Sequence, residues 1–433
     1  MRSNNLILIS ATVLIVALAL PVGVVAQHPR YKLIDLGTFG GPNSGVSTNF
    51  LNDLVPTESI GNDGMVAATA DTSTPDALCY FDDCFYPNAF EWKNGVLTNL
   101  GTLPEGSSSS VEWVSKNGLV TGSAEIGAID RINDNPATHG VLWRQGQISD
   151  LGTLDGGHVS GSFAVNNRGQ VVGFSTNVTA DPFSFWYGGL PGGTQTRAFV
   201  SQNGLMQDLG TLGGPDAGAF LVNERGQIAG ISYTSSTPNS NNGSLCAPNV
   251  PPQNPFLWEQ GTMVDLGSLG GTCGFVNALN ERGQVVGQSN LGGNLVYHPF
   301  LWDKHQNPPL ADLGTFGGDN GWASWINDAG NIVGSADFPE DVIHHAAFWR
   351  HGVMIDLGTV GSDPCSRGFA INSNGQIVGG SSSCSTFLHA FLWEDGGPMV
   401  DLNTLVSAGS DLTLTVAIFI NDRGETRRKW SAA

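Results

Sequence analysis

Apolar residues in this chain come in short runs broken by polar pairs and glycine, as in Val165-Asn-Asn-Arg-Gly-Gln-Val-Val-Gly. Short β-branched runs on either side of an Asn followed three places later by Gly predict a hairpin, with Gly at the positive-φ position that other residues resist. The block recurs as Val222-Asn-Glu-Arg-Gly-Gln-Ile-Ala-Gly, Leu279-Asn-Glu-Arg-Gly-Gln-Val-Val-Gly and Ile371-Asn-Ser-Asn-Gly-Gln-Ile-Val-Gly. Its turn glycines are Gly64, Gly118, Gly169, Gly226, Gly283, Gly330, Gly375 and Gly424. A second block ends in Trp92, Trp143, Trp258, Trp302, Trp349 and Trp393. A third, Asp-Leu-Gly, starts at Asp35, Asp150, Asp208, Asp265, Asp312 and Asp356, with Asn99 and Asp401 opening imperfect copies. These eight copies are spaced 44 to 64 residues apart.

Taken in chain order, the turn block predicts the first two strands of a unit, the Trp block the third, and the Met-x-Asp-Leu-Gly run the fourth. A four-stranded unit of about 40 to 50 residues, repeated many times, predicts an all-β β-propeller. The expected count is about eight blades, with seven as the alternative; a β-solenoid is the structural runner-up, although its coils are usually shorter. Tyr31 to Gly37 reads as a fourth strand with no Trp strand before it, and Ile420-Asn-Asp-Arg-Gly as a turn block with none after it. The two ends are therefore expected to share the last blade. That blade should be short, because after Gly424 the pattern gives way to Glu425-Thr-Arg-Arg-Lys-Trp.

The blocks resemble those of the extracellular HAF-repeat family of predicted secreted bacterial proteins. The name-giving stretch survives best as His389-Ala-Phe-Leu-Trp. His139-Gly-Val-Leu-Trp, His298-Pro-Phe-Leu-Trp and Asn254-Pro-Phe-Leu-Trp depart from it, and Arg197-Ala-Phe-Val-Ser has lost its Trp. The resemblance runs from about Tyr31 to Gly424. It implies export and a repeat fold, and brings no catalytic residues with it.

Composition agrees with a turn-rich fold: charged residues are 13% of the 433-residue chain and glycine fills 59 positions. A net charge of −20 would repel a phosphate backbone or an anionic bilayer, which argues against nucleic acid as a partner; the acidity would suit soluble cationic partners or a divalent metal, but such a surface is more often simply a solubility feature. Residues 1–26 read as a signal peptide, with Arg2 ahead of the apolar run Leu6 to Leu20 and a Val-x-Ala pattern before Gln27. An uncleaved anchor is the alternative. Residues 27–433 would then form one propeller domain with no membrane span, expected to be a monomer. Six cysteines fit export. Proximity favours Cys79 with Cys84, Cys246 with Cys273, and Cys365 with Cys384, among fifteen possible pairings. Asn177-Val-Thr and Asn242-Gly-Ser are glycosylation sequons.

Candidate chemistry is sparse. The position four before each Trp holds His139, His298, His345 and His389, or Asn88 and Asn254, with Arg197 in the copy without Trp. Blade-wide separation argues against shared metal coordination there, so polar hydrogen bonding is the expected role and no metal or cofactor is assigned. The repeated Asp is expected to accept N–H bonds from the Gly-rich turn that follows, and the tryptophans are expected to pack between blades. Function is sought instead where the repeat breaks, in Asp71 to Pro87, Asp181 to Thr196 and Tyr233 to Pro255. Phe183, Phe185, Trp186 and Tyr187 form the best candidate binding loop for a glycan or protein, with packing on their own blade as the competing account. No nucleophile elbow, zinc helix or phosphate loop is present. The sequence thus predicts a noncatalytic extracellular binding or scaffold module. A propeller hydrolase or lyase acting on polysaccharide, with paired carboxylates at the central mouth, is the alternative.

Overall fold

The computed structural model describes residues 31–45, 58–77, 84–241, 243, 245–394, 396–406 and 412–432. Residues 1–30, and with them the expected signal peptide, lie outside, as do Cys79 and Asn242. Among the described residues there are seven four-stranded antiparallel units and one two-stranded hairpin. No helix among these residues is long and apolar enough to cross a membrane.

Each complete unit is an up-and-down blade. In the second blade the strands are Ser109–Val114, Val120–Ile129, Pro136–Arg144 and Gln147–Asp150, paired in that order. The turn block lies between the first two strands, Trp143 is on the third and Asp150 ends the fourth, as the repeat predicts. The other blades follow the same order, and a single parallel bridge, Gln253 to Cys273, links the fourth and fifth. The last element is the hairpin Leu412–Ile420 with Thr426–Ala432. Beside it runs the N-terminal segment, whose Tyr31 N–H donates to Leu405 O at 2.9 Å. Tyr31 and Leu33 pack into the cluster of Leu414, Ala417, Phe419 and Ile420, so the two ends of the chain build this unit together.

The glycine that closes each turn block has a local steric cause. A bulge in the first strand brings its carbonyl against the second strand, and a Cβ at Gly122, Gly173, Gly230, Gly287, Gly334 or Gly379 would run into the carbonyl oxygen of Ser110, Gly161, Gly218, Phe275, Trp322 or Arg367 respectively. Only glycine allows the bulge.

The bulge also turns one side chain per unit towards a common axis. Two residues before the turn Asn, or its equivalent, stand Ser59, Trp113, Ala164, Leu221, Ala278, Trp325, Ala370 and Phe419. Small and large residues alternate through all eight units, which lets neighbouring copies interdigitate in a confined centre. Trp113 and Trp325 lie four units apart yet stack with centroids 6.4 Å apart, and Phe419 meets Trp325 edge-on at 5.7 Å. Such contacts require all three rings to point inward. The alternation shows in the sequence once the turn blocks are aligned, but the repeat motifs draw attention to the positions that stay the same and not to this one.

A belt of hydrogen bonds lies just beyond these rings. Asn166 Nδ2 donates to Asn223 O, Asn223 to Asn280 O, Asn280 to Asn327 O, Asn327 to Asn372 O, and Asn372 to Asn421 O, at 2.9–3.1 Å. Asn421 Nδ2 then reaches Gly61 O at 3.1 Å, so the last turn sits against the first.

Disulfides tie two loops, Cys246 to Cys273 and Cys365 to Cys384. Cys84 is also disulfide-bonded. The Asn177 sequon is not presented to solvent: the side chain is buried and Nδ2 donates to Gln195 Oε1 at 3.1 Å.

Candidate functional site

The insertion carrying Phe183, Phe185, Trp186 and Tyr187 joins the second and third strands of the third blade, Val171–Ala180 and Thr194–Gln202. Its rings are packed. Tyr187 is 2% exposed, Trp186 stacks on Phe174 at 4.7 Å, and Phe185 lies 4.2 Å from Tyr233 of the next blade. Phe183 is half-buried, with its carbonyl taken by the Tyr233 hydroxyl at 3.1 Å. These contacts favour local packing over a presented binding patch, and they wedge the insertion between blades.

Beneath the insertion is a buried pair of carboxyls that the sequence reading missed. Asp216 Oδ1 accepts from Thr196 N–H at 2.9 Å and Oδ2 from Phe185 N–H at 2.5 Å. Asp181 Oδ1 accepts from Phe183 N–H at 2.9 Å, while its buried Oδ2 has no hydrogen-bond donor among the described residues. Burial, reinforced by the neighbouring Asp181 carboxylate, pushes Asp216 up to about 9, against the two backbone N–H bonds that favour its charged form. The folded chain holds this proton more tightly than the unfolded one. Stability from this group is therefore complete below its ordinary value of 3.8 and is lost as pH rises through about 9. Asp181→Asn keeps the acceptor for Phe183 and places an N–H donor where Oδ2 faces its neighbour. The variant should gain about 1.5–3 kcal/mol at pH 9 and less at pH 5. Urea unfolding at the two pH values checks this, and equal effects at both would remove the like-charge account.

The repeated polar positions turn out to be one device. His139 Nδ1 lies 2.9 Å from Asp150 Oδ1, His298 Nδ1 2.9 Å from Asp312 Oδ2, and His345 Nδ1 2.9 Å from Asp356 Oδ1. Arg197 and Asn254 pair in the same way with Asp208 and Asp265. Each of these Asp residues also accepts the N–H of the Gly two places on, as at Gly152 and Gly314, in line with the expected turn role. The histidine partner is thus the adjacent strand's carboxylate within the same blade. His389 alone turns aside, to Asp363 Oδ2 at 2.8 Å. Although burial opposes it, the His298 and Gly314 bonds hold Asp312 below its usual range. No group of three or more His, Cys, Asp or Glu suited to a metal ion occurs among the described residues.

A concave site lies at the axial mouth, a cup with a volume of about 150 Å³. Trp113, Trp325 and Phe419 floor it, and the residues just after each turn Asn rim it: Asn62, Lys116, Glu224, Glu281, Asp328, Ser373 and Asp422, with Glu58 beside them. The rim is itself a staple. Glu224 Oε1 accepts from Asn167 N–H, Glu281 Oε1 from Glu224 N–H, Asp328 Oδ1 from Glu281 N–H and Asp422 Oδ1 from Ser373 N–H, at 2.9–3.0 Å. Five carboxyl groups and one lysine thus line the same cup. Burial pushes Glu58 up to about 8; Lys116 opposes the shift, and Asp422 and Glu224 add to it. Burial likewise raises Glu281, with Asp328 and Glu224 contributing. Asp422 goes the other way: hydrogen bonds from Ser373 and Asn62 outweigh its burial and hold it low.

No protein-family model matches the chain, and no characterised protein matches it in sequence. Similar solved structures include the β-propeller domain of the Trilobed protease from Pyrococcus furiosus, at 9% identity and TM-score 0.44, covering 81% of this chain and 94% of that one. The acylaminoacyl peptidase of Pyrococcus horikoshii is 12% identical with TM-score 0.42, over 87% of this chain and 57% of that one. A gluconolactonase from Xanthomonas campestris is 13% identical with TM-score 0.27, over 60% and 76%. With its seven four-stranded units and inward-pointing rings, the chain is an all-β propeller.

Proposed function

We propose that this protein is an exported, noncatalytic binding module whose axial cup takes a cationic group of an extracellular glycan or protein. The observation behind this reading is that Glu58, Glu224, Glu281, Asp328 and Asp422 line one cup with a single lysine, Lys116, and with the stacked Trp113 and Trp325. Carboxylates crowded together raise each other's pKa, and a bound cation relieves that repulsion. An ammonium group over indole faces adds a cation–π contribution of about 0.5–2 kcal/mol. The expected signal peptide, the disulfides and the resemblance to a secreted repeat family support export.

The test is calorimetric titration with chitosan oligosaccharide and an oligolysine peptide, with N-acetylated chitosan oligosaccharide as the uncharged control. Glu224→Gln and Glu281→Gln keep the oxygens that accept from Asn167 and Glu224 while removing charge. Together they should weaken binding at least tenfold and leave the melting temperature close to wild type. Absence of binding to both cationic probes would end this reading.

A second reading rests on Glu58 and Asp422, whose surroundings push their pKa values apart as an acid and a base require. It is a polysaccharide hydrolase or lyase working at the same mouth. Sugar release by the wild type, abolished by Glu58→Gln, would establish it in place of the first.

A further inference from the structure

We propose, resting on the cationic reading of the axial cup, that its ligand is a zwitterionic protein segment: a lysine enters the cup, and aspartate or glutamate beside it is held by an arc of arginines on the surrounding turns. Arg168, Arg225 and Arg282 stand at one repeat position, two residues after the turn Asn of the third, fourth and fifth blades. Their backbone N–H groups donate to Asn166, Asn223 and Asn280 Oδ1 at 3.0–3.1 Å, so the three turns share one geometry. All three side chains are exposed.

Along these turns the two signs of charge separate. Glu224 and Glu281 line the cup, and the arginines that follow them lie outside it. Arg168 Nη2 donates to Gln170 Oε1 at 3.1 Å, and Gln170 Nε2 reaches Gln202 Oε1 on the third strand at 3.4 Å. Arg282 Nη2 donates to Gln284 Oε1 at 2.8 Å, and Gln284 Nε2 to Asp303 Oδ2 at 2.8 Å. These bonds draw the guanidinium groups towards the outer strands. Arg282 is also within electrostatic reach of Asp303. Among the described residues none of the three arginines forms an ion pair, whereas Arg423, at the same place in the terminal unit, meets Glu425 at 3.3 Å. In a chain of net charge −20, the result is an acidic centre with a basic border. A purely cationic ligand is repelled by that border. One carrying its own carboxylates gains there, because guanidinium groups suit bidentate carboxylate recognition.

The size of the cup favours a side chain over a sugar. Its volume of about 150 Å³ lies below the roughly 300–1,000 Å³ of ordinary ligand pockets, and suits the slender four-carbon stem of lysine. Neighbouring Cα atoms on a turn are about 3.8 Å apart and an extended peptide advances about 3.3 Å per residue, so acidic residues within about three places of the lysine reach the arginines.

The test is calorimetric titration of the full chain with blocked peptides of equal length: Gly-Ser-Glu-Lys-Asp-Ser-Gly, a lysine-only form with Gln and Asn for Glu and Asp, and an acid-only form with Gln for Lys. The first should bind about tenfold or more tighter than the second, and the third should not bind. Arg225→Gln with Arg282→Gln should bring the first peptide down to the affinity of the second. Asn117 and Asn374 occupy this place in other units, so the turn accepts an amide. Equal binding of the first two peptides, or an unchanged preference in the double variant, overturns the proposal and leaves a simple cation site. Tighter binding of de-N-acetylated heparosan oligosaccharide, which alternates carboxylate and amine, also overturns it, since the partner would then be a glycan. Failure of every peptide while chitosan oligosaccharide binds has the same meaning. Failure of the peptides, chitosan and oligolysine together would bring down the cationic cup as well.

Discussion

Changing Trp186 and Tyr187 together to alanine is expected to lower the stability of the protein by about 5 kcal/mol or more, since burying a large aromatic is worth about 3–5 kcal/mol per residue. Tyr187 is 2% exposed and Trp186 stacks on Phe174, so both truncations leave cavities between the third blade and its neighbours. Phe185 and Tyr233 would lose support as well, because Phe185 N–H is held by Asp216 Oδ2 at the base of the same insertion. Leu190, 42% exposed in the same loop, gives the control, and Leu190→Ala should cost less than about 0.5 kcal/mol. Equilibrium urea unfolding measures all three. A double variant as stable as the wild type would return the aromatic cluster to the role of an exposed binding patch.

The second large effect should come from one asparagine of the axial belt. Asn280 Oδ1 accepts from the N–H groups of Arg282 and Gln284, both at 3.0 Å, while Nδ2 donates to Gln284 Oε1 at 2.7 Å and Asn327 O at 3.1 Å. Asn280→Ala strands several buried polar groups at once, each costing about 1–3 kcal/mol, for a total loss of about 3–5 kcal/mol. Asn280→Asp keeps the acceptor but turns an oxygen towards the Asn327 carbonyl, and should cost about as much. Asn280→Ser should be milder, at about 1–2 kcal/mol. The second blade already uses Ser115 at this place, its hydroxyl accepting from Leu119 N–H at 2.9 Å. Urea midpoints for the three variants check this order. An aspartate variant matching the wild type would show that the donor half of the side chain does not hold neighbouring blades together.

Local signals in this chain were strong because each unit repeats one short-range problem. The turn block, the Trp strand and the Asp-Leu-Gly strand have sequence-local causes in positive-φ glycine, period-two burial and Asx turns. The blade order could therefore be read from spacing alone, and so could the roles of Asp150, Asp208 and their equivalents. The sharing of the last unit between Tyr31–Gly37 and the terminal hairpin also followed from counting blocks at both ends. The bond between His139 and Asp150 was open to the same reasoning, since antiparallel pairing places residues 11 apart across one hairpin.

What the sequence could not decide were the contacts between units. Whether Trp186 faces solvent or the second blade depends on how far apart blades two and three stand, and no spacing within the insertion reports that distance. The approach of Asp181 to Asp216 joins residues from two blades, and only packing shows that neither carboxyl reaches water. The axial cup is the extreme case, because its carboxylates come from five different units and its floor joins Trp113 to Trp325 from opposite sides. A degenerate repeat determines the unit by itself, since each unit's hydrogen bonds close locally. The chemistry at the axis is decided by tertiary structure, because it lies where the units differ and where residues far apart in the chain converge.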